Sequence, residues 1–346
     1  MTDAPRLTTL VQGGGCARKL AQSSLLDVLR TLTPAAHPWI DERPGPVDDA
    51  AVVRPEGAAR SMVLTIDVVT AMVDDPRAFG GIAAVNAMSD VWAMGGRPEV
   101  ALSFVGFPND KLGLEVLAEI MAGMQEAAGR ARCAIVGGHT IGDSEPKAGL
   151  SVVGSVDPAR VWSHRFAREG QALVLTKALG TGLVGQAIRK GTASDELVRA
   201  ATAQMLALND RACEVGLTFE ATACTDVTGF GLLGHLRNVL EASSLSATIR
   251  AADVPLIPGA LAVAEAGVVP AGSRRNLTRA LEVTHFDAAI PEPLRLLLAD
   301  AQTSGGLLLC LPEERAASAV SRLRDEGVGA AVVGALRAGP PRILVS

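Results

Sequence analysis

The chain contains no tyrosine, and aromatic residues make up only 3% of its 346 positions. Proteins that hold single-stranded nucleic acid stack bases on aromatic side chains, so that use is largely excluded. A formal net charge of −5 argues the same way, against nucleic acid or an anionic membrane as the main partner. No uncharged apolar run reaches the roughly 18 residues that a membrane-spanning helix needs. The opening Met-Thr-Asp-Ala-Pro-Arg lacks the charged-then-apolar layout of a signal peptide, and the expected location is cytoplasmic. The five cysteines, Cys16, Cys133, Cys213, Cys224 and Cys310, are scattered and form no Cys-x-x-Cys pair. That pattern suits reduced thiols and argues against structural zinc. A Walker phosphate loop is missing as well, since no glycine directly precedes Lys19 and no Ser or Thr follows it.

What is present is ample core material, 48% hydrophobic with 20% charged residues, in a length that fits about two domains. A polar, charged stretch at 158–170 divides the chain into 1–157 and 158–346. In the first part, Ser23-Ser24 can cap a helix with Leu25, Leu29 and Leu32 on one face, followed by a proline-rich connector. Strands are expected at 50–53, 61–66, 99–105, 134–136 and 149–156, with a mostly apolar helix at 79–94 and an amphipathic one at 114–131. The second part reads as strand 172–176, a helix ending near Lys190, helix 196–209 and a helix beginning at Asp226. Strand 307–311, helix 313–326 and strands 330–333 and 343–345 complete it.

Several segments carry candidate chemistry. Residues 11–20 read Val-Gln-Gly-Gly-Gly-Cys-Ala-Arg-Lys-Leu. Three glycines in a row are costly to order, and the cations beside Cys16 favour a thiolate. The segment reads either as a prepared nucleophile or soft ligand, or as a frayed N-terminal arm. Asp48-Asp49 lead into strand 50–53, as ligands or as a solvated turn, and strand 61–66 ends on Asp67. Asn86 and Asp90 lie four apart on one face of the apolar helix. A carboxylate there is expensive without compensation, so Asp90 reads as a ligand. Gly137-Gly138-His139-Thr140 closes a short strand, either as a backbone anion site or as a tight turn. Gly180-Thr181-Gly182 entering a helix is a weak phosphate signal. Asp226 stands in a glycine-rich setting, as a helix cap or against a ligand.

Taken together, Gly-Gly-Gly-Cys-Ala-Arg-Lys, Asp-Asp-Ala-Ala-Val, Asn-Ala-Met-Ser-Asp-Val-Trp-Ala-Met-Gly-Gly, Gly-Gly-His-Thr, Thr-Asp-Val-Thr-Gly-Phe-Gly-Leu-Leu-Gly-His and Gln-Thr-Ser-Gly-Gly-Leu-Leu closely resemble selenophosphate synthetase (selenide, water dikinase). The resemblance runs from about residue 7 to the C-terminus, in order and with matching spacing. The middle motifs alone indicate the wider ATP-binding superfamily of aminoimidazole ribonucleotide synthetase, and the Cys-x-x-Lys arm narrows it. It implies an α+β fold of two α/β domains, with N-terminal sheets pairing across a homodimer. The implied reaction converts selenide, ATP and water to selenophosphate, AMP and orthophosphate, supplying the selenium donor for selenocysteine and selenouridine synthesis. Cys16 matches the position that handles selenium, and Lys19 the essential lysine beside it. Asp49, Asp90 and Asp226 match magnesium ligands, Asp90 also facing the nucleotide. Lys19, Pro46, Val47, Asp48, Asp67, Gly138, His139 and Thr140 match nucleotide-contacting positions. The resemblance further allows a monovalent cation such as K+ and a selenium-delivery protein. Gln12 and Arg18 replace a histidine and a second cysteine that some members carry, a departure that bears against a role for a second thiol but not against Cys16.

The chemistry agrees, because cleaving a triphosphate requires charge neutralisation and Mg²⁺ prefers carboxylate and phosphate oxygens. A glycine-hinged arm can close over phosphates and exclude water. Two other readings compete. Another synthetase or kinase of the superfamily would keep the aspartates and glycine turns but has no need of the Cys16–Lys19 arm. A nucleotide-binding scaffold that has lost catalysis would have no need of every carboxylate, and all are present.

Overall fold

The computed structural model describes residues 5–18, 28, 31–32, 36–41, 43–45 and 48–346. Most of the expected helix capped by Ser23-Ser24, together with Lys19, Pro46 and Val47, lies outside the described residues.

The first sheet contains β1 (Ala51–Val53), β2 (Ser61–Thr70), β3 (Arg97–Phe107), β4 (Ala134–Gly142) and β5 (Lys147–Val156), in the order β1-β2-β5-β3-β4. All its pairs are antiparallel except β3 with β4. Two expectations change here. β2 runs on through Thr70, so Asp67 stands within the strand rather than at its end. β4 continues through Gly142, so Gly137–Thr140 is strand, not a turn after one. Its backbone pairs with β3 from Leu102↔Gly137 to Phe107↔Gly142. A Cβ on Gly138 would stand 2.1 Å from Ser103 Oγ, so the close strand approach itself explains that glycine.

Helix α1 (Pro76–Ala93) is the core of the molecule. The Asp75 side chain caps it by accepting from Ala78 N, and Pro76 occupies the first turn, where no amide is needed. It ends where Gly95 takes φ +74° and Gly96 N returns to Val91 O at 3.0 Å. Fourteen of its eighteen residues are buried, as its near-uniform apolar sequence predicts. On one side it meets α2 (Leu114–Arg130) backbone to backbone. A Cβ on Gly80 would lie 1.9 Å from Ile120 O, and one on Gly123 would lie 1.9 Å from Arg77 O. A carbonyl cannot yield as a flexible side chain does. Gly80→Ala therefore costs about 3 kcal/mol, the upper range for overpacking, read as a lower denaturation midpoint at unchanged m-value. A midpoint equal to wild type would refute this packing.

The second sheet has β6 (Ala172–Leu175), β7 (Ala223–Asp226), β8 (Leu245–Ile249), β9 (Thr284–Phe286), β10 (Leu307–Leu311), β11 (Ala331–Ala338) and β12 (Ile343–Val345). Their order is β7-β10-β6-β11-β8-β12-β9, antiparallel except where β12 joins β8 and β9. Around it lie α3 (Thr181–Lys190), α4 (Asp195–Leu206), α5 (Asp210–Thr218), α6 (Gly231–Ser243), α7 (Ala260–Glu265), α8 (Ala271–Ala280), α9 (Glu292–Leu298) and α10 (Glu313–Asp325). The expected helix 196–209 stops at Leu206, and α5 follows at once. The break has a use: Ala207 O accepts from Lys177 Nζ, and Asn209 Nδ2 donates to Ser89 Oγ of α1 and to Gly305 O. Asp226 ends β7, five residues ahead of α6, and so does not cap that helix.

Candidate active site

The glycine arm is docked, not frayed. Cys16 lies in a 3-10 turn (Gly15–Arg18) at 2% exposure. Its amide donates to Thr303 Oγ1 at 2.9 Å, and its Sγ donates to Asn86 Oδ1 at 3.3 Å. Gly15 has φ +61°, and a Cβ there would meet Thr303 Oγ1 at 2.1 Å, so only glycine lets the arm seat this closely. Thr70 Oγ1 donates to Gly13 O at 2.7 Å, and Arg189 Nη1 donates to Gln12 O at 2.8 Å. The thiol is thus held between α1 and the loop preceding β10.

Asp48 and Asp49 are bound by the very stretch that sequence reading assigned to a domain boundary. Asp48 accepts from Gly45 N, from Ser163 Oγ at 2.8 Å and from His164 N at 2.7 Å, which makes it a brace for its own loop. Asp49 Oδ2 is 3.3 Å from His164 Nε2, and its Oδ1 accepts from Thr225 Oγ1 at 3.0 Å. The Nε2 of His235 accepts from Thr228 N at 3.1 Å, which places its ring proton on Nδ1, facing Thr225 Oγ1 at 3.2 Å. His235, Thr225 and Asp49 therefore form a directed chain that fixes the Asp49 carboxylate. Burial alone would lower the His164 pKa. The charges of Asp49, then Asp48 and Asp226, outweigh that and hold the imidazole above its ordinary value.

Asp67 Oδ2 accepts from Asn86 Nδ2 at 2.5 Å, and Ser304 N donates to Asn86 Oδ1 at 2.8 Å. Ser304, at φ +51°, passes its carbonyl to Lys177 Nζ at 2.9 Å. Burial lowers the Lys177 pKa to about 7, against the pull of the Asp226 charge. Asp226 itself is 1% exposed. One continuous set of contacts therefore joins Asp67, Asn86, Cys16 and Ser304 to the Lys177 amine. Asp90, partly buried on α1, accepts from Thr65 Oγ1 of β2.

The amides of the Gly180-Thr181-Gly182 turn are taken within the chain and are not offered to a phosphate. Asp300 Oδ2 accepts from the amides of Gly182 and Leu183, and Gln302 Oε1 accepts from those of Gly180 and Thr181. Burial raises the Asp300 pKa to about 6, while its hydrogen bonds to Ser273, Leu183, Gln302 and Gly182 lower it.

The structure thus groups Asp48 and Asp49 about His164, which also feels the Asp226 charge, and Asp67 with Cys16 about Asn86. Gly138, His139 and Thr140 stand apart, exposed on β4, three strands from β2 or about 14 Å at the usual strand spacing. Among the described residues, no three Asp, Glu, His or Cys groups form a preformed metal cluster. The donors proposed for magnesium are all hard carboxylate oxygens, and Mg²⁺ is usually held by one or two carboxylates with substrate phosphates and water. Their chemistry fits the ion. Sequence reasoning missed His164, Lys177, Thr225 and Thr303. No local pattern marks the first two, whereas Thr225 and Thr303 lie inside motifs already noted.

Comparison with known proteins identifies the family of the chain. Residues 47–156 match the family model for the AIR synthase related protein N-terminal domain, and residues 168–345 that for its C-terminal domain. A selenide, water dikinase of Myxococcus xanthus is 44% identical over 340 residues, covering 98% of this chain and 96% of that protein. One of Carboxydothermus hydrogenoformans is 39% identical, covering 99% of each. In fold, the chain resembles thiamine monophosphate kinase from Aquifex aeolicus, with a TM-score of 0.67 at 18% identity over 94% of this chain and 98% of that one. It also resembles the hydrogenase maturation protein HypE in complex with ATP, with a TM-score of 0.59 at 22% identity over 86% and 82%. Full-length identity at this level, with both domain models matched in order, means that the chain belongs to the selenide, water dikinase family.

Proposed function

We propose that this chain makes selenophosphate, converting selenide, ATP and water to selenophosphate, AMP and orthophosphate. The observation that carries the reading is the seat of Cys16. A buried thiol is clamped by Asn86, which also holds Asp67, and by the loop whose carbonyl holds Lys177. A soft sulfur suits a soft selenium anion, and the surrounding oxygens suit phosphate and its counter-ion. Cys16 receives or directs selenium, Asn86 orients thiol and carboxylate together, and the docked arm excludes water from the transfer. Lys19, three residues beyond Cys16, is assigned the transferring phosphoryl group. Asp49, Asp90 and Asp226 would hold Mg²⁺, which supplies neutralisation of triphosphate charge when bound. ATP consumption measured by nucleotide chromatography should depend on selenide and end at AMP. Accumulation of ADP as the final nucleotide would favour a kinase of the wider superfamily.

The reading includes a homodimer through the N-terminal sheet. Ile66, Leu102 and Val136 on β2, β3 and β4 are 68%, 52% and 66% exposed, an apolar surface unusual for a monomer. Pairing of two such sheets would also give the remote Gly138–Thr140 segment a nucleotide to meet. Light scattering at micromolar concentration should give twice the 35.6 kDa chain mass, and a monomer mass would count against the pairing.

A further inference from the structure

A cavity of about 450 Å³ lies between the glycines of the arm and the second domain. Gly13 and Gly14 form one wall, Gln186 and Arg189 of α3 another, and Arg275 of α8 a third. Among the described residues, no Asp or Glu lines it. Arg189 is held in place by the carbonyls of Val11 and Gln12, at 3.3 and 2.8 Å through one nitrogen, so its position is fixed before any ligand arrives. Arg275 has no hydrogen bond or ion pair to a described residue and is exposed. Two guanidinium groups without a carboxylate between them are unusual in a chain of net charge −5, and a recess concentrates their field. The first turn of the ten-residue α8 adds to it, since Ala271 and Gly272 line the cavity and no side chain caps that helix.

We propose that this cavity binds a tetrahedral phosphate-class oxyanion, a product of the reaction, against the arm. The assignment of the ligand as a product rests on the function proposed above. Planar guanidinium forks match phosphate oxygens in pairs, which a thiol-like or selenide anion cannot exploit. At roughly 30 Å³ per water, the volume accepts such an anion with part of its hydration shell. Arg189 gives the site its link to catalysis, because this lining residue also holds the carbonyls of Val11 and Gln12 in the segment leading to Cys16.

The test uses inorganic phosphate and the full chain without nucleotide. Titration calorimetry should show saturable binding at millimolar phosphate or below. Arg275→Ala touches no described neighbour by hydrogen bond or ion pair and so leaves the fold intact. It should weaken phosphate binding about tenfold, equivalent to about 1.4 kcal/mol. Arg275→Lys should restore part of the loss, and Arg132→Ala, in a different surface recess, should change nothing. Displacement of bound orthophosphate by added selenophosphate, still without nucleotide, would assign the site to both products, and no displacement would assign it to orthophosphate. Equal phosphate affinity in wild type and Arg275→Ala, or no binding at millimolar phosphate, would overturn the proposal. Phosphate binding that survives in an enzyme found to make no selenophosphate would instead locate the failure in the functional reading.

Discussion

Asp226→Asn should lower selenide-dependent ATP turnover by about a thousandfold, the scale seen when one preorganised charge-stabilising group is removed. The substitution keeps the shape of the side chain and changes its charge, so packing around the 1% exposed position is preserved. Two consequences follow from the lost carboxylate. A proposed magnesium ligand disappears, and Lys177 loses the charge that opposes its depressed pKa, so the ammonium gives up its proton more readily. The first acts on phosphate chemistry, and the second on the Ser304 carbonyl that Lys177 holds beside Cys16's seat. Steady-state turnover alongside a thermal melt separates them from unfolding: the melt should move by a few degrees at most while activity vanishes. Wild-type turnover in Asp226→Asn would remove this residue from the phosphate-handling machinery.

Cys16→Ser has the second large effect. Selenophosphate formation should fall below detection, while magnesium-dependent nucleotide binding, measured by calorimetry, stays within about twofold of wild type, well under 1 kcal/mol. Serine can still donate to Asn86 Oδ1, so the arm keeps its seat, but a hard hydroxyl does not replace a soft thiol toward selenium. The sequence alone predicts a hinge-like arm whose substitution is nearly free, within roughly 0.5 kcal/mol as at a surface site. Burial of Cys16 at 2% exposure corrects that expectation. The shorter hydroxyl in this seat should cost about 1 kcal/mol of stability. Full selenophosphate yield from Cys16→Ser would return the thiol to the status of a bystander.

The elements that were legible are those whose own pattern decides them. The uniform apolar run of α1, its glycine stop, and the buried strand β10 need no tertiary information, whereas its first turn from Pro76 lies ahead of the expected start at 79. The misread elements were decided by distant partners. Asp67 lies within β2 because β5 pairs with that strand as far as Thr70. Gly138 reads locally as turn chemistry, yet Ser103 on the neighbouring strand explains it. The glycine turn before α3 reads as a phosphate site until Asp300 and Gln302, more than a hundred residues away, are seen to occupy its amides. The site divides in the same way. Motifs singled out Cys16, Asp49, Asp90 and Asp226, whereas His164 and Lys177 carry no motif and acquire meaning only from the aspartates they face. The docking of Cys16 was invisible for the same reason: Thr303 lies 287 residues away.

Phosphorus NMR of one reaction mixture, with ⁷⁷Se-enriched selenide, Mg²⁺ and ATP, tests the account most directly. The expected spectrum shows AMP and orthophosphate growing in step with a third phosphorus signal split by coupling to selenium, and none of these forms when selenide is omitted. ADP as a stable end-product, with no selenium-coupled phosphorus, would contradict it.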